Sequence, residues 1–273
     1  MAIIEGMLKQ VSDTSKNFFI YRNLLIHMVI REIKGRFAGS SVGLLWSFIH
    51  PLIMLLVFLF VFVYIFKLRL PEYSGSTGAA IYLMSGLFPW LAMAEGILRS
   101  TSSLIENANL IQKSVFPIEI LPAKAVIAAF TSHGIAILIL ALYMIITKQN
   151  YQLLIYLPVV IIFQAVFTIG IGFIFASLSV FFRDIIQILQ LVIGFWIYIT
   201  PILYPISMLP EWARSVMYIN PVYPFVSIYQ SLFLNGKVGD YKMIILLLMW
   251  TTVFYLVGAF VFSKLKREFA DWL

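Results

Sequence analysis

Residues Leu153–Phe181 read LLIYLPVVIIFQAVFTIGIGFIFASLSVF, and after Phe182-Arg183-Asp184 the chain continues from Ile185 to Leu203 as IIQILQLVIGFWIYITPIL. No Asp, Glu, Lys, Arg or His interrupts either run. A bilayer core of roughly 30 Å takes about 20 apolar residues in a helix, because a lipid-exposed backbone must satisfy its own N–H and C=O groups. The two runs therefore predict two successive spans joined at Arg183-Asp184 by a very short turn.

Working outward, four more stretches meet the same test: Val42 to Phe66, Ala79 to Leu98, Ile118 to Ile146 and Met243 to Phe262. The expected fold is all-α, integral to a membrane, with six transmembrane helices. Composition agrees: 62% of the 273 residues are hydrophobic, 11% are charged, and the net charge is +7. So little polar surface cannot coat a water-soluble globule. The basic residues punctuate apolar runs rather than gather on one solvated face, which favours topology and lipid headgroups as their partners and speaks against nucleic acid. Cysteine is absent from the chain. No disulfide framework, thiol nucleophile or thiolate metal site is therefore expected.

With the N-terminus inside, roughly two-thirds of the 19 Lys and Arg fall on inner segments, from Lys9 and Lys16 through Arg31, Lys34, Arg36, Arg99, Lys113, Lys124 and Arg183 to Lys264, Lys266 and Arg267. The outer segments hold Lys67, Arg69, Lys148, Arg214, Lys237 and Lys242. This is the asymmetry of a chain whose two termini are cytoplasmic. The first long apolar run follows a polar, basic arm, so no cleavable signal peptide is expected.

Two segments are neither span nor ordinary loop. From Phe18 to Phe37 apolar residues alternate with Arg22, His27, Arg31, Lys34 and Arg36, as in an amphipathic helix lying in the interface. Between Pro201 and Asp240 five prolines break a sequence rich in Trp212, Tyr218, Tyr223 and Phe225, which predicts short re-entrant or interfacial helices between the fifth and sixth spans. The expected organisation is an arm over 1–41, a membrane domain over 42–263 and a cytoplasmic tail over 264–273.

Several chemistries are disfavoured. No G-x-x-x-x-G-K-[ST] phosphate loop occurs, so ATP-driven work needs another subunit. His27, His50 and His133 are far apart and belong to no H-E-x-x-H pattern, so they read as structural and no metal site is expected. Gly39-Ser40-Ser41-Val42-Gly43 matches G-x-S-x-G by letter, but a nucleophile elbow sits between a strand and a helix, whereas here a basic arm leads into a span. Gly35, Gly39 and Gly43 recur every four residues, which suits close helix packing or a flexible elbow. Glu95 is the main ionisable residue within a span, and its neighbour Arg99 makes a paired carboxylate the expectation.

Arg31-Glu32-Ile33-Lys34-Gly35-Arg36-Phe37, Gly43-Leu44-Leu45-Trp46, Pro51-Leu52 and Gly86-Leu87-Phe88-Pro89-Trp90 are followed in order by Phe116-Pro117, Phe181-Phe182-Arg183-Asp184-Ile185, Thr200-Pro201-Ile202 and Asn220-Pro221-Val222-Tyr223-Pro224. Taken together, they resemble the membrane subunit of type-2 ATP-binding-cassette exporters for lipid-linked polysaccharide, nearest to O-antigen export permeases, with teichoic acid and capsule permeases in the wider group. The resemblance covers almost the whole chain.

It implies a bacterial plasma membrane protein without catalytic residues or bound cofactor of its own. Two copies would pair with two cytoplasmic ATPase subunits that hold ATP and Mg, and a polyprenyl-diphosphate-linked glycan would pass between the copies. It further implies a coupling helix within Ser102 to Ser114, offering Glu106, Asn107, Asn109, Gln112 and Lys113 to the ATPase. Arg31, Lys34 and Arg36 are the candidates for holding the diphosphate through charge-assisted hydrogen bonds, the alternative being that they only anchor the arm. Trp46, Tyr64, Phe195, Trp196 and Tyr198 are candidates for stacking on sugars along the pore, the alternative being packing or lipid contact. Rival readings are a type-2 exporter of drugs or another lipid, an intramembrane hydrolase using Ser40 or Ser41, and a passive scaffold.

Overall fold

A computed structural model describes residues 12, 14–36, 39–65, 75–113, 117–149 and 151–273. Lys9, Phe37, Phe66, Lys67, Arg69, Ser114 and Phe116, named above, lie outside them. Among the described residues all regular structure is helical.

The arm forms α1 (Arg22–Arg36), preceded by helical residues 14–20. A 3-10 turn leads into α2 (Trp46–Phe58), which continues as a π-helical stretch, Leu59–Ile65. Then come α3 (Gly75–Glu106), the short α4 (Ala108–Lys113), α5 (Ile120–Ile146), α6 (Leu157–Phe181) and α7 (Ile185–Ile199). The proline-broken stretch holds α8 (Glu211–Met217) and α9 (Tyr223–Gln230), and α10 (Tyr241–Leu265) with the small α11 (Phe269–Trp272) closes the chain.

Among the described residues four helices are long and apolar enough to cross a membrane: Thr77–Glu106, Ile120–Ile146, Gln152–Phe181 and Tyr241–Leu265. The other two expected spans are helical but shorter or interrupted. The first is split between α2 and its π-helical continuation, and α7 has 15 residues, about 22 Å at 1.5 Å per residue. The turn between α6 and α7 is as short as the charges at Arg183-Asp184 suggested.

Burial ranks these helices. The most apolar window of Thr77–Glu106 is 83% buried and that of Tyr241–Leu265 only 22%, so α3 is the central post and α10 a peripheral one. Pro89 sits inside α3 and leaves the fourth preceding carbonyl without its helical donor. α3 also outruns the expected end at Leu98. Ser100 and Thr101 hydroxyls donate to the Ile97 carbonyl and Ser103 to that of Ser100, while Ser179 on α6 donates to the Thr101 carbonyl at 2.6 Å. These residues face protein, so the helix continues beyond its apolar run.

α6 crosses α10 at two glycines. A Cβ on Gly170 would stand 2.5 Å from the Phe254 backbone, and one on Gly258 would strike the Gly170 carbonyl. Small residues admit such close backbones in membrane bundles. The arm glycines behave differently. A Cβ at Gly35, Gly39 or Gly43 would meet nothing within 4 Å, and Gly39 and Gly43 have φ of +83° and +56°. Of the two readings, close packing or an elbow, Gly39 and Gly43 fit the elbow, where positive φ is what glycine supplies, while Gly35 stays within α1.

The proline-broken stretch folds back into the bundle. On α9 and just beyond, Phe225, Tyr229, Leu232 and Phe233 are fully buried. The Tyr229 hydroxyl donates to Gln164 Oε1 at 2.9 Å, and Gln164 Nε2 donates to the Pro89 carbonyl at 3.1 Å. Gln230 and Tyr82 both donate to the Pro201 carbonyl. At the opposite end, Phe173 packs tilted on Phe262 and Phe262 edge-on to Phe269, with Trp272 edge-on to Phe181 at 5.3 Å. This docks the tail under the arm end of the bundle.

Candidate functional site

The arm helix packs along α5 and near α3, and the charged residues of all three converge. Glu95 on α3 receives Arg36 Nη1 at 2.8 Å and Arg99 Nε at 2.7 Å on one oxygen, with His133 Nε2 at 2.8 Å from the other. Arg36 Nη1 also donates to Ser132 Oγ at 2.9 Å. One turn back along the arm, Glu32 lies 3.1 Å from Lys124 Nζ and 3.7 Å from Arg99 Nη1. The expectation of a paired Glu95 holds, with three partners instead of one.

Beneath the arm these groups line a cavity of about 570 Å3. Its walls carry four cations, Arg31, Arg36, Arg99 and Lys124, against the carboxylates of Glu32 and Glu106. Lys124 is buried, and the Arg36 side chain is only 10% exposed. Burial pushes the Arg36 guanidinium pKa down, opposed by the nearby Glu95 carboxylate; the group still stays protonated, since guanidinium does not lose its proton in proteins. Its Nε and Nη2 are buried and have no hydrogen-bond partner among the described residues. A donor left this way costs about 1–3 kcal/mol, a penalty that an incoming acceptor removes.

A second cavity of about 650 Å3 shares Arg99 and Glu106 with the first. It opens between α2, α3, α5 and α7, with Phe88, Leu91, Leu98 and Met54 as apolar wall and His50, Glu95, His133 and Gln190 as polar groups. Together the two form an amphipathic trough, cationic at the arm end and largely apolar beyond it.

The structure divides the sequence-predicted residues. Arg31 and Arg36 line the cationic cavity, but Arg36 is committed to Glu95, and exposed Lys34 is not among the lining residues. Glu106 ends α3 and lines both cavities, Asn107 Nδ2 donates to the Ser103 carbonyl, and Asn109, Gln112 and Lys113 are exposed on α4, whose Ile111 is buried. Tyr64, Phe195 and Tyr198 are 71%, 68% and 64% exposed. Trp46 instead donates to Ser40 Oγ at 3.0 Å, and half-buried Trp196 donates to Asn220 Oδ1 at 3.1 Å and packs edge-on to Trp90. Trp196 is therefore placed as a structural tie to the Asn220-Pro221 turn. Ser40, bound by Trp46, sits in a turn, and the described residues before it are the helix α1 and Gly39 rather than the strand that leads into an elbow nucleophile.

Sequence reading missed Glu32, Lys124 and Ser132 as site members. A signal was present for Lys124, since a lysine one turn inside an apolar span is rarely placed there without a partner.

Comparison with known proteins places these features. The ABC-2 type transporter family matches residues 23–234. The O-antigen export system permease protein RfbA of Klebsiella pneumoniae is 32% identical over 253 residues, 92% of this chain and 95% of that protein. RfbA of Myxococcus xanthus is 29% identical over 259 residues, covering 94% and 97%. The polysialic acid transport protein KpsM of Escherichia coli is 23% identical over 234 residues, covering 85% and 89%.

Proposed function

The chain belongs to the ABC-2 type transporter family, and we propose that it is the channel-forming half of an ATP-driven exporter of polyprenyl-diphosphate-linked glycan. The observation that carries the substrate class is the cationic cavity, in which Arg36 keeps two buried nitrogens without acceptors beside Arg31, Arg99 and Lys124. A diphosphate supplies several anionic oxygens at the depth where these donors converge, and charge-assisted hydrogen bonds are the strong ones. The adjoining apolar trough suits the first part of a long amphiphile. The names of the relatives, permeases for O-antigen and polysialic acid, support a surface glycan as the cargo.

In this reading the protein sits in the bacterial plasma membrane with both termini cytoplasmic. Six helices span, α2 and α7 completing the set, and α8 and α9 form the re-entrant hairpin on the outer side. Two copies face each other through α2, its π-helical continuation and α7, whose exposed apolar residues include Leu56, Phe60, Leu191 and Phe195. Two ATPase subunits bind ATP and Mg and dock on α4, where Asn109, Gln112 and Lys113 project around the anchored Ile111.

The test is ATP turnover by the permease reconstituted with its ATPase in lipid nanodiscs. Polyprenyl diphosphate bearing a sugar should stimulate turnover where hydrophobic drugs do not. Stimulation by the drugs alone would point to a small-molecule exporter instead, and no response to either would point to a scaffold.

A further inference from the structure

Two carboxylates line the cationic cavity, Glu32 and Glu106, and Glu32 is the one that pairs with its cations while opposing the ligand proposed for it. Its carboxylate lies 3.1 Å from Lys124 Nζ and 3.7 Å from Arg99 Nη1, on a side chain 20% exposed. Lys124 is buried, and a buried ammonium without a counter-charge is strongly unfavourable. An empty cavity therefore needs an anion at this point, and the arm provides it.

We propose that Glu32 is a stand-in for the substrate's phosphate: it neutralises Lys124 and Arg99 while the site is empty and yields that place to a phosphate group on loading. This rests on the reading of the cavity as the diphosphate site.

Three features favour replacement over a fixed clamp. The approach to Arg99 is long, because the guanidinium is already drawn to Glu95 through Nε at 2.7 Å. Among the described residues Arg36 Nε and Nη2 have no acceptor, although Glu32 is one turn away and Glu106 also lines the cavity, so the two carboxylates leave the cavity short of oxygens that a diphosphate has in excess. Glu32 also belongs to α1, while Lys124 and Arg99 belong to α5 and α3. The carboxylate can swing away with its own side chain while the two cations keep their places on the bundle, and Arg36 holds the arm through Glu95 and Ser132 meanwhile.

The two roles give opposite signs on mutation. Removing a clamp loosens the site and weakens binding, whereas removing a competing anion strengthens it. The experiment uses the full permease–ATPase complex in phosphatidylcholine nanodiscs, titrated with polyprenyl diphosphate, with phosphatidylglycerol and inorganic pyrophosphate as parallel arms. Glu32→Gln should lower the concentration of polyprenyl diphosphate giving half-maximal ATPase stimulation by about tenfold, in line with one unit charge removed from within a few ångströms of the ligand. Pyrophosphate should compete with the lipid more strongly in the variant. Glu32→Asp keeps the charge but withdraws it from Lys124, and should fall between wild type and Glu32→Gln; it also serves if the amide variant does not assemble.

An unchanged or raised half-maximal concentration in both variants overturns the proposal and makes Glu32 a clamp. An equal shift for phosphatidylglycerol overturns it too, since any anionic lipid would then do. A wild-type complex that polyprenyl diphosphate does not stimulate overturns the diphosphate reading itself, a failure distinct from the first two.

Discussion

Arg36 Nη1 and Glu95 Oε1 stand 2.8 Å apart, joining the arm helix to the central post of the bundle. Arg36 ends α1 and Glu95 lies past the Pro89 position in α3, so this pair ties the arm to the spans together with Arg36–Ser132 and Glu32–Lys124.

Breaking that pair should loosen the arm. Glu95→Gln removes the charge that faces Arg36, Arg99 and His133 together, and losing charge-assisted hydrogen bonds costs about 1–3 kcal/mol. The detergent-solubilised protein should melt several degrees lower, about 2–4 °C per kcal/mol for a chain of this size. Protease cleavage near Gly39 should quicken. Unchanged melting and cleavage would show that the arm is held by its other ties, Arg36–Ser132 and Glu32–Lys124.

The α6–α10 crossing should tolerate no side chain. Gly258→Ala places a methyl on the Gly170 carbonyl, and overpacking typically costs about 1–3 kcal/mol. Gly194→Ala and Gly134→Ala, where nothing lies within 4 Å, are the matched controls. Folded yield and melting temperature should fall for Gly258→Ala and stay level for the controls.

Gln164, Tyr229 and Pro89 should behave as one unit. Gln164→Leu and Tyr229→Phe each remove the Tyr229–Gln164 hydrogen bond, and such bonds in membrane bundles contribute about 0.6 kcal/mol on average and up to about 1.7 kcal/mol. In a double-mutant cycle on unfolding, the combined loss should be smaller than the sum of the single losses. Strict additivity would mean that the hydroxyl and the amide act separately.

Much of this architecture can be read from residue order, and the limits have physical causes. The turn at Arg183-Asp184 was legible because two charges between apolar runs cannot stay in lipid. The length of α3 was not, since counting apolar residues stops at Arg99 while Ser100, Thr101 and Ser103 continue the helix by bonding its own carbonyls. Spacing alone left the arm glycines as a packing face or an elbow, and positive φ at Gly39 and Gly43 selects the elbow for those two. In the site, Glu95 with Arg99 was legible as an i,i+4 pair. Glu32 with Lys124, 92 positions apart, was not, because only the packing of α1 on α5 brings them together.

Coupling to the ATPase should depend on α4. Lys113→Glu reverses an exposed charge in the last turn of that helix and should lower substrate-stimulated ATP turnover while leaving insertion and melting of the isolated permease unchanged. Unaltered turnover would move the docking surface elsewhere.

In the proposed function the cavity under the arm, rather than the arm's positive charge in general, holds the substrate's diphosphate. Binding of polyprenyl diphosphate to the purified complex, compared among wild type, the Arg99→Gln/Lys124→Gln double variant and Lys34→Gln, separates the two. The double variant should bind at least about tenfold more weakly, as expected for losing two charge-assisted contacts, while Lys34→Gln should bind like wild type. Equal affinity for the double variant and wild type, or an equal loss in Lys34→Gln, would contradict it.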